Sequence, residues 1–305
     1  MSIKLRQYKN ENFYGNDYYS VRDFLIELDN HNYPFGRWDW KTMLLCAAWE
    51  WADPDGIEKI GIWEENDKIV AITTYDTKFG SVYLLTLKGY EKLKPEMFFY
   101  AKENMVKNGN LRIMILDDDL EFQNIVAQNN FFPTQDKEYD SIYPIKLETI
   151  NYSLPNGYKI TSFNEDFDLY KYGQVLWKGF NHEINGEGPF SNYWNKNYEK
   201  YKKEWDRPNI NLNLKIFVVA PNGDFVSHCG MWYEKKSKNA LVEPVATDPE
   251  YRKMGLGKAV VLEGIKRCGK LRAINAFVCS SQQFYYNIGF RPYATSTFWE
   301  EKCIK

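Results

Sequence analysis

The spacing of apolar residues divides the chain into two stretches that share one plan. Residues 3–8 alternate as a short strand does. A helix is then predicted to begin near Asp17, with Val21, Phe24, Leu25 and Leu28 at helical spacing. A loop over residues 30–38 follows, carrying His31, Pro34 and Trp38. From about residue 154 the plan returns. A strand at 158–163 leads to a helix with Leu169, Tyr172, Val175, Leu176 and Phe180. Its loop carries His182, Pro189, Phe190 and Trp194. Two hairpins are predicted next, 60–63 with 69–75 and 215–219 with 225–232, each turning through Asn or Gly with charged neighbours.

Landmarks in the two halves correspond at a slowly drifting offset. His31 matches His182, Asn66 matches Asn222, and Asn130-Phe131 matches Gly289-Phe290, at separations between about 151 and 160 residues. Each half reads strand, one or two helices, hairpin, strand, helix, strand, helix, final strand. The fold class predicted is therefore α/β, in two tandem units over residues 1–148 and 154–305. The polar stretch at 147–156, with Pro155, separates them and is too short for a loose tether. A chain of 305 residues is comfortable as two domains of this size.

Composition narrows the partners. Net charge is −2, from 39 Lys and Arg against 41 Asp and Glu, which gives no electrostatic reason to expect nucleic acid or an anionic membrane. No apolar run approaches the length of a membrane span, and the first residues lack a signal-peptide core. Five scattered cysteines, Cys46, Cys229, Cys268, Cys279 and Cys303, and three histidines offer neither a disulfide framework nor metal-ligand spacing. The expectation is a soluble cytoplasmic protein without a metal, as a monomer or homodimer.

One stretch stands apart. Residues 242–247 read as a strand, Asp248-Pro249 as a turn, and residues 252–257 as Arg-Lys-Met-Gly-Leu-Gly before an amphipathic helix. A helix start has unpaired N–H groups and the positive end of the dipole, so it favours an anion. Gly255 and Gly257 let the backbone approach that anion, and Lys253 and Lys258 add charge. The spacing is neither Gly-x-Gly-x-x-Gly nor a Walker loop.

Glu243 through Gly257, with its Arg-x-x-Gly-x-Gly, resembles the acetyl-CoA-binding motif of the GCN5-related N-acetyltransferases (GNAT). Residues 284–290, Phe-Tyr-Tyr-Asn-Ile-Gly-Phe, resemble that family's C-terminal Tyr-x-x-x-Gly-Phe element. The resemblance covers the second half, and reaches the first only through the repeat. It implies two GNAT-like domains, each a mixed, mostly antiparallel twisted sheet flanked by helices. The first is degenerate: the counterpart of the loop, near 88–96, has one glycine, and Val126 stands opposite Tyr285.

What the resemblance implies for the site can be named residue by residue. Arg252, Lys253, Met254, Gly255, Leu256, Gly257 and Lys258 would hold the pyrophosphate of acetyl-CoA. Val245, Ala246 and Thr247 would pair with its pantetheine arm, Val245 offering an oxyanion donor. Tyr285 would protonate the departing thiolate, with Tyr286 one position off the pattern. Glu243 is the candidate base. His182, Glu183 and Glu187 border the acceptor side and suit a cationic substrate. His228 reads as a core residue, Asp117 to Asp119 as a solvated helix cap, and Cys279 has no partner that would make it a nucleophile.

The expected function is transfer of an acetyl group from acetyl-CoA directly to a primary amine, on a small molecule. The alternative is a non-catalytic acyl-CoA-binding regulatory protein that kept the fold. An amide-forming ligase using aminoacyl-tRNA would need a basic groove, which the net charge does not support.

Overall fold

The computed structural model describes residues 2–301, so Cys303 lies outside the described residues. Contacts divide the chain into two compact units. The first comprises the residues up to Asp140, Cys279–Ser281 and the segment from Pro292 onward. The second comprises Ser141–Val278 and Gln282–Arg291.

The first half of the chain runs β1 (Lys4–Gln7), α1 (Asn16–Leu28), α2 (Phe35–Cys46), β2 (Gly61–Glu65), β3 (Lys68–Tyr75) and β4 (Ser81–Thr86). It continues with α3 (Lys94–Asn104), β5 (Arg112–Leu116), α4 (Leu120–Ala127) and β6 (Phe131–Pro144). The second half repeats this order: β7 (Lys159–Ser162), α5 (Leu169–Gly179), α6 (Phe190–Trp205), β8 (Lys215–Val219), β9 (Phe225–Trp232) and β10 (Asn239–Thr247). Then come α7 (Leu256–Lys270), β11 (Asn275–Cys279), α8 (Gln283–Asn287) and β12 (Arg291–Glu301). The tandem plan and the mostly antiparallel α/β architecture are as expected. The helices α2 and α6 begin earlier than the loops predicted through Trp38 and Trp194. Each starts directly after a proline, Pro34 or Pro189, in extended conformation. A proline there loses nothing, because the N–H it lacks would have no helical partner.

In the second unit β7, β8, β9 and β10 pair antiparallel in that order, and β11 joins β10 in parallel. Helix α7 buries Leu256, Val260, Val261 and Ile265 against Ile216, Val226, Met231 and Val242 of the sheet. The i, i+4 spacing of these residues gives the helix one apolar face, and each such side chain contributes about 1.5–3 kcal/mol on burial. Gly264 lets helix and sheet approach closely, since a Cβ there would lie 2.6 Å from Met231 Cγ.

The first unit has the same inner order, β1-β2-β3-β4 antiparallel with β5 parallel to β4. Its next strand is not the one expected. β12, assigned by sequence to the unit 154–305, pairs antiparallel with β5, with Thr297 opposite Ile115 and Trp299 opposite Ile113. Ser296 and Thr297 are fully or nearly fully buried. Alternation specifies that a strand exists, not which copy of a duplicated sheet it completes.

The interior of the first unit also holds charge. Lys41 is fully buried, donates to the Tyr75 carbonyl (2.5 Å) and Thr74 Oγ1 (3.2 Å), and lies 3.8 Å from the Tyr75 ring centroid. Burial pushes its ammonium down to about 7, against the pull of Asp76. Arg37 pairs with Glu138 at 3.1 Å, and Tyr83 donates to the same carboxylate at 3.0 Å.

Because β12 completes the first unit, Trp299→Ala is expected to destabilise that unit by about 3 kcal/mol. Native-state hydrogen exchange would quicken at β4 and β5 and stay unchanged at β8 and β9. Faster exchange in β8 and β9 would contradict the assignment.

Candidate active site

The site begins where two parallel strands part. β10 and β11 are in register at Asn239 with Asn275, Ala240 with Ala276 and Leu241 with Phe277. Beyond that pairing β10 continues to Thr247. Its pairing with β9 shifts between Val242 and Val245, so β10 carries one residue more than its partner there. Such a bulge bends the strand and re-aims its backbone groups. Here it falls on Glu243 and Pro244. Gly230 of β9 makes it possible: a Cβ at 230 would stand 2.4 Å from the Glu243 oxygen. Trp232 Nε1 then donates to that same carbonyl at 2.7 Å.

A cavity of about 820 Å³ opens beside this stretch, with Val245, Ala246 and Thr247 along one wall. The loop to α7 forms its floor. Lys253 and Gly255 both take positive φ, 64° and 82°, which turns successive N–H groups toward one side. Gly255 precedes the first turn of α7, where the first N–H groups have no helical acceptor. Nothing lies within 4 Å of where its Cβ would be, so the backbone there is open to a ligand. A phosphate fits this arrangement by charge and by geometry. Lys253, Gly255, Leu256, Gly257 and Lys258 all line the cavity, whereas the exposed Met254 does not.

Arg252 also lines the cavity, but its bonds run to the protein. Its N–H faces the Pro249 carbonyl at 3.3 Å. Its guanidinium donates to the Gly179 carbonyl (2.7 Å), Asn181 Oδ1 (2.8 Å) and the Thr247 carbonyl (3.2 Å). Two of these three acceptors, Gly179 and Asn181, lie some seventy positions away, where no local pattern reveals them.

The third wall is α8, with Phe284 and Tyr285. The Tyr-x-x-x-Gly-Phe spacing has a physical origin in how this helix ends. Phe290 N–H donates to the Tyr285 carbonyl (3.0 Å) and Gly289 N–H to that of Tyr286 (3.2 Å), with Gly289 at φ 112°. This is a Schellman ending, which demands a left-handed residue just past the helix and an apolar contact across the turn. Tyr285 and Phe290 supply that contact, with ring centroids 5.5 Å apart. The motif thereby fixes Tyr285, which is only 7% exposed. Burial, then the nearby Cys229 and Glu243, hold its phenol well above the ordinary range, so it stays protonated at neutral pH.

The remaining candidates fall outside the cavity lining, which includes neither Glu243 nor Tyr286. On the far side the cavity meets Gly179, Phe180 and Asn181, at the end of α5. His182, Glu183 and Glu187 follow on that loop without lining the cavity. Glu183 Oε1 accepts the N–H of Phe190 at the start of α6 (3.1 Å), and His182 Nδ1 lies 2.8 Å from Glu187 Oε1. The His182 ring stacks on Trp177 at 4.3 Å. His228 is a core residue: Nδ1 meets the Ile216 carbonyl at 3.0 Å, and burial pushes its pKa down to about 3. Asp119 caps α4 by accepting from Phe122 N–H (3.2 Å) and pairs with Lys94. Among the described residues no group of three or more His, Cys, Asp or Glu could hold a metal ion, and no helix is long and apolar enough to cross a membrane.

Comparison with known proteins gives one family match, over part of the chain. Residues 179–290 match the model of the acetyltransferase (GNAT) family, a span that holds the bulge, the glycine loop and Tyr285. The segment 179–290 is a GNAT-family domain by this match. Solved structures extend the likeness in fold to nearly its whole length. A tandem GNAT protein from the clavulanic acid biosynthesis pathway is 10% identical, with TM-score 0.56 and 98% of each chain covered. A GCN5-related N-acetyltransferase from Sphaerobacter thermophilus is 12% identical, with TM-score 0.53, covering 98% of this chain and 95% of that one. A GNAT-family acetyltransferase from Colwellia psychrerythraea is 10% identical, with TM-score 0.55, covering 98% and 100%. No curated protein matches the sequence. At these identities the neighbours show the fold, and the matched segment supports acyl transfer in general.

Gly255→Glu would place a side chain at φ 82° and a carboxylate at the mouth of the loop. Like charge in such a position costs several kcal/mol, so CoA is expected to bind at least about 100-fold more weakly by calorimetry. Unchanged affinity would remove the loop from the cofactor site.

Proposed function

We propose that the protein is an N-acetyltransferase that moves an acetyl group from acetyl-CoA directly to a primary amine on a small molecule. The second unit is the catalytic one in this reading. One observation carries it: Lys253 and Gly255 to Lys258 of the glycine loop, Val245 to Thr247 at the end of β10, and Tyr285 line a single cavity of about 820 Å³, a size suited to a cofactor arm and a small acceptor.

Acetyl-CoA supplies a thioester whose carbon–sulfur bond breaks as a carbon–nitrogen bond forms. The protein's part is placement, charge and protons. The loop at 253–258 holds the diphosphate, and the end of β10 offers backbone groups to the extended arm. Val245, just past the bulge, is the candidate donor to the thioester oxygen. Tyr285 keeps its proton at neutral pH and gives it to the departing sulfur. Glu243, near enough to Tyr285 to raise its pKa, takes the proton the attacking ammonium must lose, directly or through water. His182, Glu183 and Glu187 lend the loop after α5 an acidic side toward a cationic acceptor.

Only one unit is proposed to bind acetyl-CoA. At the corresponding place in the first unit, Gly89 N–H donates to both oxygens of Glu91, at 3.1 and 2.9 Å. The chain's own carboxylate thus sits on the backbone donor, and the buried Val126 stands where the second unit has Tyr285. Among the described residues no disulfide forms, and a cytoplasmic setting as a monomer or homodimer is part of the same proposal.

Release of free thiol from acetyl-CoA, measured across a panel of primary amines, tests the reading. Turnover is expected with at least one, and Tyr285→Phe is expected to lower kcat by about 100-fold with CoA affinity nearly unchanged. Equal activity in the variant would move the proton donor to Tyr286 or water. Tight CoA binding with no turnover on any amine would leave a non-catalytic acyl-CoA-binding protein.

A further inference from the structure

Two side chains, Lys178 and Arg252, fasten the end of α5 and the loop after it to the end of β10 and the loop after it. Lys178 pairs with Asp248 at 3.2 Å, and Asp248 is held in turn, accepting from Glu250 N–H at 3.0 Å. Arg252 reaches Gly179 and Asn181 through Nη2 and Thr247 through Nε. There is no slack between these segments: a Cβ at Gly179 would lie 2.7 Å from Ala246 Cβ and 3.0 Å from Thr247 N. Asn181, at φ 66°, is turned left-handed where it accepts from the guanidinium. Beyond it the loop is closed by its own bonds, Asn185 N–H to the Asn181 carbonyl (2.8 Å) and Glu187 N–H to that of His182 (3.0 Å).

We propose that Arg252 is a positioning residue that couples the phosphate loop to the acceptor-side loop over residues 180–189, so that CoA bound at 253–258 also fixes the loop that receives the amine. The chemistry of the side chain supports this role over that of a phosphate cation. The three acceptors are reached from two nitrogens of one planar guanidinium, Nη2 to Gly179 and Asn181 and Nε to Thr247, and a lysine has a single nitrogen to offer. A phosphate cation needs only charge, which lysine would keep. Asn181 and Thr247 are the ends of the clasp, and Lys178 with Asp248 is a second tie beside it. The coupling is local, through one side chain between two loops that each line the same cavity.

The inference rests on CoA binding at the glycine loop, so the experiment reads the two separately. Amide hydrogen exchange is measured with and without CoA in the wild type, Arg252→Lys and Asn181→Gly. The second variant keeps the left-handed backbone while removing one acceptor. In the wild type, CoA is expected to slow exchange by about tenfold both at 253–258 and at 182–187, residues that do not line the cavity. In both variants the protection at 253–258 and the CoA affinity should stay within about threefold of wild type, while the protection at 182–187 is lost. A general loss of stability would lower both regions together and would overturn the proposal. So would Arg252→Lys keeping full protection at 182–187, or a wild type protected only at 253–258. A wild type with no CoA-dependent protection at 253–258 would instead remove the cofactor reading, and this inference with it.

Discussion

The parallel pairing of β10 with β11 stops at Leu241 and Phe277, and the rest of the second unit's chemistry is arranged around the place where the strands part. Two neighbouring strands leave no room for a ligand between them. Strands that diverge present unpaired backbone edges and a space to fill. The divergence depends on an extra residue in β10, and that residue depends on Gly230, whose missing side chain is where the Glu243 carbonyl sits. Trp232 holds the same carbonyl from its other side. A glycine and an indole on β9 thus determine the course of β10, and β10 determines where the glycine loop and α7 begin.

The repeat shows what such a fold does when that arrangement changes. β4 and β5 also pair in parallel over a short register, Ser81 to Tyr83. The connection that follows has one glycine, whose N–H is taken by Glu91, and a helix that starts with Pro95 in its first turn. The interior of the first unit instead carries a lysine fully out of water and an Arg37–Glu138 pair. Buried charge of this kind is costly and is tolerated only with close partners.

Much of this was legible in the sequence because the signals are local. Strand alternation, helical spacing and the Asn-containing hairpins fixed the order of elements in both halves. The Tyr-x-x-x-Gly-Phe run was legible for a reason that geometry supplies, since a Schellman ending needs a glycine and an apolar pair at set spacing. Val245 to Thr247, Lys253, Gly255 to Lys258 and Tyr285, which the family resemblance singled out, line one cavity. What escaped is non-local. Nothing in residues 292–301 says that they complete the sheet of the first unit. Nothing near Arg252 says that its guanidinium is taken by Gly179 and Asn181. The α6 helix was hidden by its aromatic residues, among them Tyr193, Trp194 and Tyr201, which blur the polar face that periodicity relies on.

The central claim is that one of two similar units, the second, carries a single acyl-CoA site. Isothermal titration of CoA into the intact chain tests this most directly, because stoichiometry does not depend on knowing the acceptor. One CoA per chain is the predicted result. Two per chain would mean that the first unit retains a site despite Glu91 and Val126, and no binding at any accessible concentration would contradict the account of the glycine loop itself.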